Sequence, residues 1–225
     1  MIIEIEQILA NMNVMLTRWS DYTIIEENGC RYILPAKGAT AVTYSCTEHL
    51  NALVPEALDL GRMIDDGLPG AEDACLRFAA QYGLLGLSDP TSEDTQAPSA
   101  QPMHSEKYGE ALEAYQYEFR KLYRNFRSIC NYSEKRDSRL DTLYGTLRFR
   151  LSSERIPHLV WEIDSLRTVL EFAYASMVTE DPMPLRCCKR CEKIYYNPHI
   201  RSEFCSTRCR NYYNVKMYRA REKET

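Results

Sequence analysis

Five of the nine cysteines in this 225-residue chain fall between residues 187 and 209. Two residues separate Cys188 from Cys191, and three separate Cys205 from Cys209. Zinc binds four thiolates in a tetrahedron at about 2.3 Å, and two cysteines so closely spaced can share one tight turn around it. Cys205 just before a helix and Cys209 one turn into it can supply the other two ligands. The spacing predicts a structural Zn²⁺ site in a treble-clef-like zinc finger, with no open position for catalysis.

The sequence leaves other ligand sets open. Cys187 could replace Cys188, although the two-residue spacing is the commoner geometry, and His199 could replace one of the cysteines. An iron–sulfur site or a redox-active dithiol would use the same thiolates. The four remaining cysteines stand singly among apolar residues, which is typical of small buried side chains. A reducing cytosol argues against disulfides.

The charge of the chain is distributed unevenly. Residues 186–225 contain 11 Lys/Arg and 4 Glu, a net charge of +7, so the whole-chain value of −4 leaves −11 for residues 1–185. A basic region that coincides with the cysteine motif indicates a polyanionic partner. Arg120, Arg124 and Arg127 share a face of another predicted helix, which we interpret as solvated, with a second phosphate-contacting surface as the alternative.

The segment after Cys205 predicts a basic helix with two faces. Cys209, Tyr213, Met217 and Ala220 recur at helical spacing and are expected to face the metal site. The cations and amides elsewhere on the helix could contact phosphates and base edges of nucleic acid, DNA in preference to RNA. The residues predicted to make these contacts are Arg208, Arg210, Asn211, Tyr212, Asn214, Lys216, Arg219, Arg221 and Lys223. A solvated helix beside another protein is the alternative interpretation.

Two segments resemble a known type of zinc finger. Residues 185–196 (LRCCKRCEKIYY) and 204–215 (FCSTRCRNYYNV), followed by 218–221 (YRAR), are similar to the CGNR-type zinc finger of bacterial ABATE-like proteins. Cys209-Arg210-Asn211 stands where that family has Cys-Gly-Asn-Arg, which favours a sister family. The resemblance covers only residues 185–225. It implies a DNA-binding transcriptional regulator whose N-terminal region senses a ligand.

The rest of the chain predicts a mainly α-helical α+β fold with a small N-terminal β-hairpin. Residues 22–34 contain Asn28-Gly29, a dipeptide that favours a two-residue hairpin turn, and residues 41–44 could add a strand. Residues 71–86 predict a helix. Apolar steps of four and three over 108–129 and 159–177 predict two long helices. A third helix is expected over 138–151, with Pro157 beginning the last one.

These patterns divide the chain into four parts. Residues 1–87 form an N-terminal α+β region, and the proline-containing stretch 88–105 is a flexible linker. Residues 106–180 form a helical region of three helices, and residues 185–225 form the zinc finger with its basic C-terminal helix.

Signals of an enzyme are few. The four histidines show no recognisable catalytic spacing, and Walker A, GxGxxG, HExxH and GxSxG motifs are missing from the sequence. No stretch approaches the roughly 20 apolar residues that cross a membrane, and the first residues do not resemble a signal peptide. We therefore expect a cytoplasmic protein without a membrane partner.

The expected function is that of a non-enzymatic zinc-finger protein that binds nucleic acid, as a bacterial transcriptional regulator with an N-terminal sensing or assembly region. The helical region could contact protein partners or a second copy of the chain. The alternative is a structural zinc-containing subunit of a larger protein or nucleoprotein complex, such as a phage-defence effector. In that case the finger would be an assembly joint.

Overall fold

The computed structural model describes residues 14–87, 108–135, 148–152, 158–163, 165–198 and 202–223. Within these ranges it contains nine short strands, five α-helices and one 3₁₀ helix (Cys46–His49). The strands are β1 (Met15–Trp19), β2 (Tyr22–Glu27), β3 (Cys30–Pro35), β4 (Ala41–Ser45), β5 (Glu110–Ala111), β6 (Arg148–Ser152), β7 (His158–Glu162), β8 (Leu185–Cys187) and β9 (Ile194–Tyr196). The helices are α1 (Leu50–Asp65), α2 (Ala71–Tyr82), α3 (Leu112–Lys135), α4 (Leu166–Thr179) and α5 (Thr207–Lys223). The fold is α+β with helices predominating, as the sequence predicts.

The N-terminal strands form two small antiparallel sheets. β2 and β3 make the hairpin predicted at Asn28-Gly29, with Glu27 opposite Cys30. Asn28 and Gly29 have φ values of 53° and 75°, and a two-residue primed turn requires positive φ at both positions. The additional strand expected near residue 41 is β4, which pairs with β1 and not with the hairpin. The short β5 pairs with the other edge of β3.

Three helix boundaries differ from the prediction in the second half of the chain. The helix expected from residue 108 begins at Leu112, because residues 110–111 form β5. The prediction of a helix over 138–151 is wrong at its end, because residues 148–152 form β6 and pair with β7. Residues 136–147 lie outside the described ranges. The last helix of the helical region begins at Leu166, and the Ser165 hydroxyl caps it by accepting a hydrogen bond from Thr168 N at 3.2 Å. Pro157, the expected start, is not among the described residues. The apolar residues at 159 and 163 thus do not belong to that helix.

The first predicted helix is shorter than expected. α2 ends at Tyr82, before the expected end at residue 86, because Gly83 has a φ of 93°, which lies outside helical geometry. The flexible linker predicted at 88–105 falls outside the described residues.

One apolar cluster joins the described parts of the chain. It contains buried side chains from the N-terminal strands, from α1 to α4 and from the β8–β9 hairpin. Leu185 of β8 and Ile194 of β9 are each 1% exposed, and β9 packs on α1. The described residues of 1–87 and of 106–180 therefore share a core, and the hairpin that begins the predicted finger is anchored in it. None of the described helices has the length and apolar character needed to cross a membrane.

Candidate metal centre

The first two cysteines of the motif lie on the turn between β8 and β9. Cys188 N donates a hydrogen bond to Lys193 O at 3.0 Å, and Glu192 N donates to Cys188 O at 2.9 Å. Glu192, directly after Cys191, has a φ of 61°, a left-handed conformation that non-glycine residues seldom adopt. These bonds close a tight knuckle, and the flanking strands fix it to the core.

The other two cysteines lie at the start of α5. Cys205 precedes the helix, and the Ser206 hydroxyl accepts a hydrogen bond from Cys209 N at 3.2 Å, as an N-capping serine does. Lys189 N donates to Glu203 O at 3.1 Å, and the two side chains form an ion pair at 2.6 Å. The segment before α5 is thereby held against the knuckle. A β-hairpin followed by a helix fits the zinc finger that the sequence predicts.

The four predicted ligand atoms converge on one point. The sulfur atoms of Cys188, Cys191, Cys205 and Cys209 all lie within 4.8 Å of one another. The Sγ of Cys191 is 3.6 Å from that of Cys205 and 3.7 Å from that of Cys209, and the last two are 3.5 Å apart. A zinc tetrahedron with bonds of about 2.3 Å has sulfur–sulfur edges of about 3.8 Å. The cluster therefore has the dimensions needed to hold one metal ion.

Among the described residues, Cys187 does not belong to the sulfur cluster. Cys187 is the last residue of β8, and its thiol donates a hydrogen bond to Glu192 O at 3.2 Å. Cys188, one residue later, is 1% exposed and lies within the sulfur cluster. His199 lies outside the described residues.

The sulfur atoms experience different environments. The Ser206 hydroxyl, followed by the Arg190 guanidinium, lowers the pKa of the Cys209 thiol to about 6. Burial raises the pKa of the Cys205 thiol to about 12. Negative charges this close repel each other and favour protonated thiols, so four thiolates need a cation between them. The donor set is thus suited to a thiophilic cation.

Sequence reasoning did not identify two residues that support the cluster. Arg190 lies between the knuckle cysteines, and its Nη1 is 3.7 Å from Cys209 Sγ. N–H donors to ligating sulfurs orient them and tune the metal. Ser206 is the helix cap described above. Its position three residues before Cys209 is a helix-start signal visible in the sequence, whereas the position of Arg190 depends on how the knuckle folds.

The predicted nucleic-acid contacts lie on α5, most of which does not pack against the rest of the described structure. The residues of this set whose side chains are described are all exposed: Arg208, Arg210, Asn211, Tyr212, Asn214, Lys216 and Arg219. None of the four cations among them forms an ion pair with another described residue. The side chains of Arg221 and Lys223 lie outside the described part of the chain. Arg208, Asn211, Tyr212, Val215 and Arg219 line one shallow concave patch.

The predicted inward face of α5 is wrong at Met217. Cys209 is buried, and the ring of Tyr213 lies 5.2 Å from that of Phe204, between centroids. Met217, however, is 40% exposed. The contact between Phe204 and Tyr213 lies in the first two turns of α5, and Met217, one turn later, is not buried as the spacing predicted. The side chain of Ala220 is outside the described part.

Two of the three arginines predicted to share a face of α3 have a partner in α1, whereas the Nε of Arg120 is buried without a hydrogen-bond partner among the described residues. Arg124 and Arg127 lie 2.7 and 3.8 Å from the carboxylate of Asp65. This face of α3 therefore contributes to an ion-pair cluster between two helices.

Comparison of the chain with protein-family models, curated proteins and solved structures gave no match. The four-cysteine cluster is consistent with a zinc finger, but no family match supports the CGNR type.

Proposed function

We propose that this protein is a non-enzymatic, cytoplasmic zinc-finger protein that binds nucleic acid, DNA in preference to RNA, through α5. The observation that carries the proposal is the sulfur cluster at the start of this helix, together with the cations beyond it that form no ion pair with a described residue. Four cysteine sulfurs lie within 4.8 Å of one another beside the first turn, and Arg208, Arg210, Lys216 and Arg219 on the same helix are exposed. A regulatory role follows from the resemblance of residues 185–225 to DNA-binding fingers.

Zinc is the ion that fits this site best. Four thiolates in a tetrahedron are a common structural zinc site, and they leave no coordination position for water. The metal would therefore stabilise the fold and would not activate a nucleophile. This closed donor set supports a non-enzymatic role.

The charge distribution supports a polyanionic partner. Each cation that neutralises a phosphate releases a condensed counterion, so affinity falls with salt. If three to six cations of α5 meet phosphates, log K against log[salt] has a slope of about −3 to −5. Binding through a protein assembly joint does not require this dependence of affinity on salt.

Fluorescence anisotropy of the purified, zinc-loaded chain with labelled 25-base-pair DNA tests the proposal. We expect binding with the salt slope above, and at least a tenfold loss of affinity in Lys216→Glu/Arg219→Glu. Lys37→Glu/Arg77→Glu makes the same change in net charge at exposed positions of the body and is expected to retain binding. The proposal is wrong if wild type binds no nucleic acid at physiological salt, or if both double variants bind as wild type does.

A second candidate is the assembly joint, because α5 also exposes apolar side chains. Tyr212, Val215 and Tyr218 are 57%, 50% and 64% exposed. Exposed apolar residues on one element mark protein interaction sites. The salt dependence of binding separates the two functions, because phosphate binding depends on the cations and weakens with salt, whereas a protein joint depends on the apolar residues.

A further inference from the structure

Between residues 211 and 218, the side of α5 that faces away from the finger carries amides and apolar groups, with cations beside it. Cys209 and Tyr213 mark the attached side of the helix. With 3.6 residues per turn, the opposite side is formed by positions i, i+3, i+4 and i+7 beginning at Asn211. We call these residues the outer ridge: Asn211, Asn214, Val215 and Tyr218. All four are exposed. The next residue on this side is the exposed Glu222, where the ridge ends.

Cations flank the outer ridge on both sides. Arg208 and Arg219 are eleven residues apart, three turns of helix, and therefore lie along one flank. Arg210 lies on the other flank, and the backbone places residue 221 on the same line as Arg210. None of these three described side chains is paired with a described acidic residue. A helix that lies flat on a phosphate surface needs cations on one side only, so cations on two flanks indicate a groove with phosphates along both walls.

We infer that α5 enters the major groove of double-stranded DNA, with the outer ridge towards the base edges and the two cationic flanks towards the opposing backbones. This inference rests on the proposed function and specifies its ligand. An α-helix with side chains is about 10–12 Å across, and the B-DNA major groove is about 12 Å wide. No described helix or strand packs along α5 beyond the finger, so the outer turns are open to a groove. The major groove of A-form RNA is too narrow for a helix.

The chemistry of the outer ridge favours A·T pairs. An asparagine amide can donate to N7 and accept from N6 of adenine as a bidentate pair, and an apolar side chain can contact the thymine methyl group. Asn211 and Val215 are four residues apart on the same side of the helix. They can therefore reach neighbouring base pairs, whereas the flanking arginines carry no sequence information.

Selection from a random 20-base-pair duplex library with the full chain, followed by anisotropy, tests this inference. We expect an enriched A·T-containing site, bound at least tenfold more tightly than scrambled duplex, single-stranded DNA or double-stranded RNA of equal length. Asn211→Ala/Asn214→Ala should reduce the preference for the selected site about tenfold or more, with an unchanged salt slope. Replacement of adenine by 7-deazaadenine in the selected site, which removes the N7 acceptor from the major groove, should weaken binding.

A control variant and the zinc content of each variant distinguish loss of base contacts from loss of folding. Asn51→Ala, at an exposed position of α1, should retain the preference, and the bound zinc of each variant shows that the finger is folded. Equal or tighter binding of single strands or RNA overturns the inference and leaves nucleic-acid binding standing. The inference is also overturned if Asn211→Ala/Asn214→Ala keeps the preference for the selected site. Failure to bind any nucleic acid overturns the proposed function itself.

Discussion

The guanidinium carbon of Arg190 lies 4.0 Å from the centre of the Tyr212 ring. The same guanidinium donates to Cys209 Sγ at 3.7 Å. Arg190 belongs to the knuckle, and both of its partners belong to α5, so a single side chain joins the two halves of the candidate metal centre. A cation over an aromatic face is attracted by the quadrupole of the ring.

Arg190→Ala is expected to weaken metal binding by about tenfold to a hundredfold, which is the usual effect of losing a group that orients a ligand. Competition with a chromogenic chelator measures this. Lys193→Ala removes a neighbouring exposed cation and should leave the affinity unchanged. Equal affinity of Arg190→Ala and wild type would show that the contact has no role in holding the ion.

Metal removal is expected to loosen the body as well as the finger. Leu185 and Ile194 flank the knuckle and belong to the main core, and β9 packs on α1. In Cys191→Ser, amide hydrogen exchange should therefore speed up in α1 as well as in residues 185–198. Cys187→Ser, which leaves the four clustered sulfurs in place, is the control. Wild-type protection of α1 in Cys191→Ser would show that the finger folds independently of the core.

The cysteine spacing predicted the sulfur cluster because the constraint is local. Two cysteines separated by two residues can share one tight turn, and two cysteines four positions apart at the start of a helix lie on the same side of it. The extent of the inward face of α5 is not local. Met217 is at the correct helical spacing, yet whether it is buried depends on how far the knuckle and loop reach along the helix. Sequence spacing contains no information on that distance.

The helix boundaries show the same limit. Residues 159 and 163 extend a pattern of four and three, but a strand can also place residues 159 and 161 on one side because its side chains alternate. β7 occupies this segment, and Ser165 gives a better indication of where the helix begins. The hairpin at Asn28-Gly29 was predictable because its turn chemistry depends on two adjacent residues.

Gly61→Ala is expected to destabilise the protein. A Cβ at residue 61 would overlap the backbone carbonyl of Phe119 and lie 2.8 Å from Cβ of Tyr123, so α1 and α3 would have to separate. Overpacking of this kind costs about 1–3 kcal/mol, more than the roughly 1 kcal/mol that alanine gains over glycine in a helix. Urea denaturation measures the difference. Asn51→Ala on an exposed turn of α1 should be neutral or stabilising, and the same result for Gly61→Ala would contradict the close crossing.

Glu110 is expected to make stability depend on pH. Burial raises its pKa from 4.5 to about 7, although backbone N–H groups of Leu87, Gly86 and Leu85 donate to the carboxylate and act in the opposite direction. Between these two values the folded state keeps a proton that the unfolded chain releases. The free energy of unfolding should therefore fall as pH rises from about 4.5 to about 7, by up to about 3 kcal/mol.

Urea midpoints across this pH range test the role of Glu110. Glu110→Gln cannot titrate and should flatten the profile, although it also loses part of the hydrogen bonding to residues 85–87 and is less stable throughout. Glu113→Gln, at an exposed position nearby, should keep the wild-type slope. A wild-type slope in Glu110→Gln would assign the dependence to other groups.

X-ray absorption at the zinc K edge of the purified chain tests the central claim, that four sulfurs hold one ion at the root of α5. We predict one zinc per chain with four sulfur ligands at about 2.3 Å, and incomplete coordination in Cys205→Ser. A chain purified without metal that takes up none on addition of zinc, or a first shell of nitrogen and oxygen, would contradict the account.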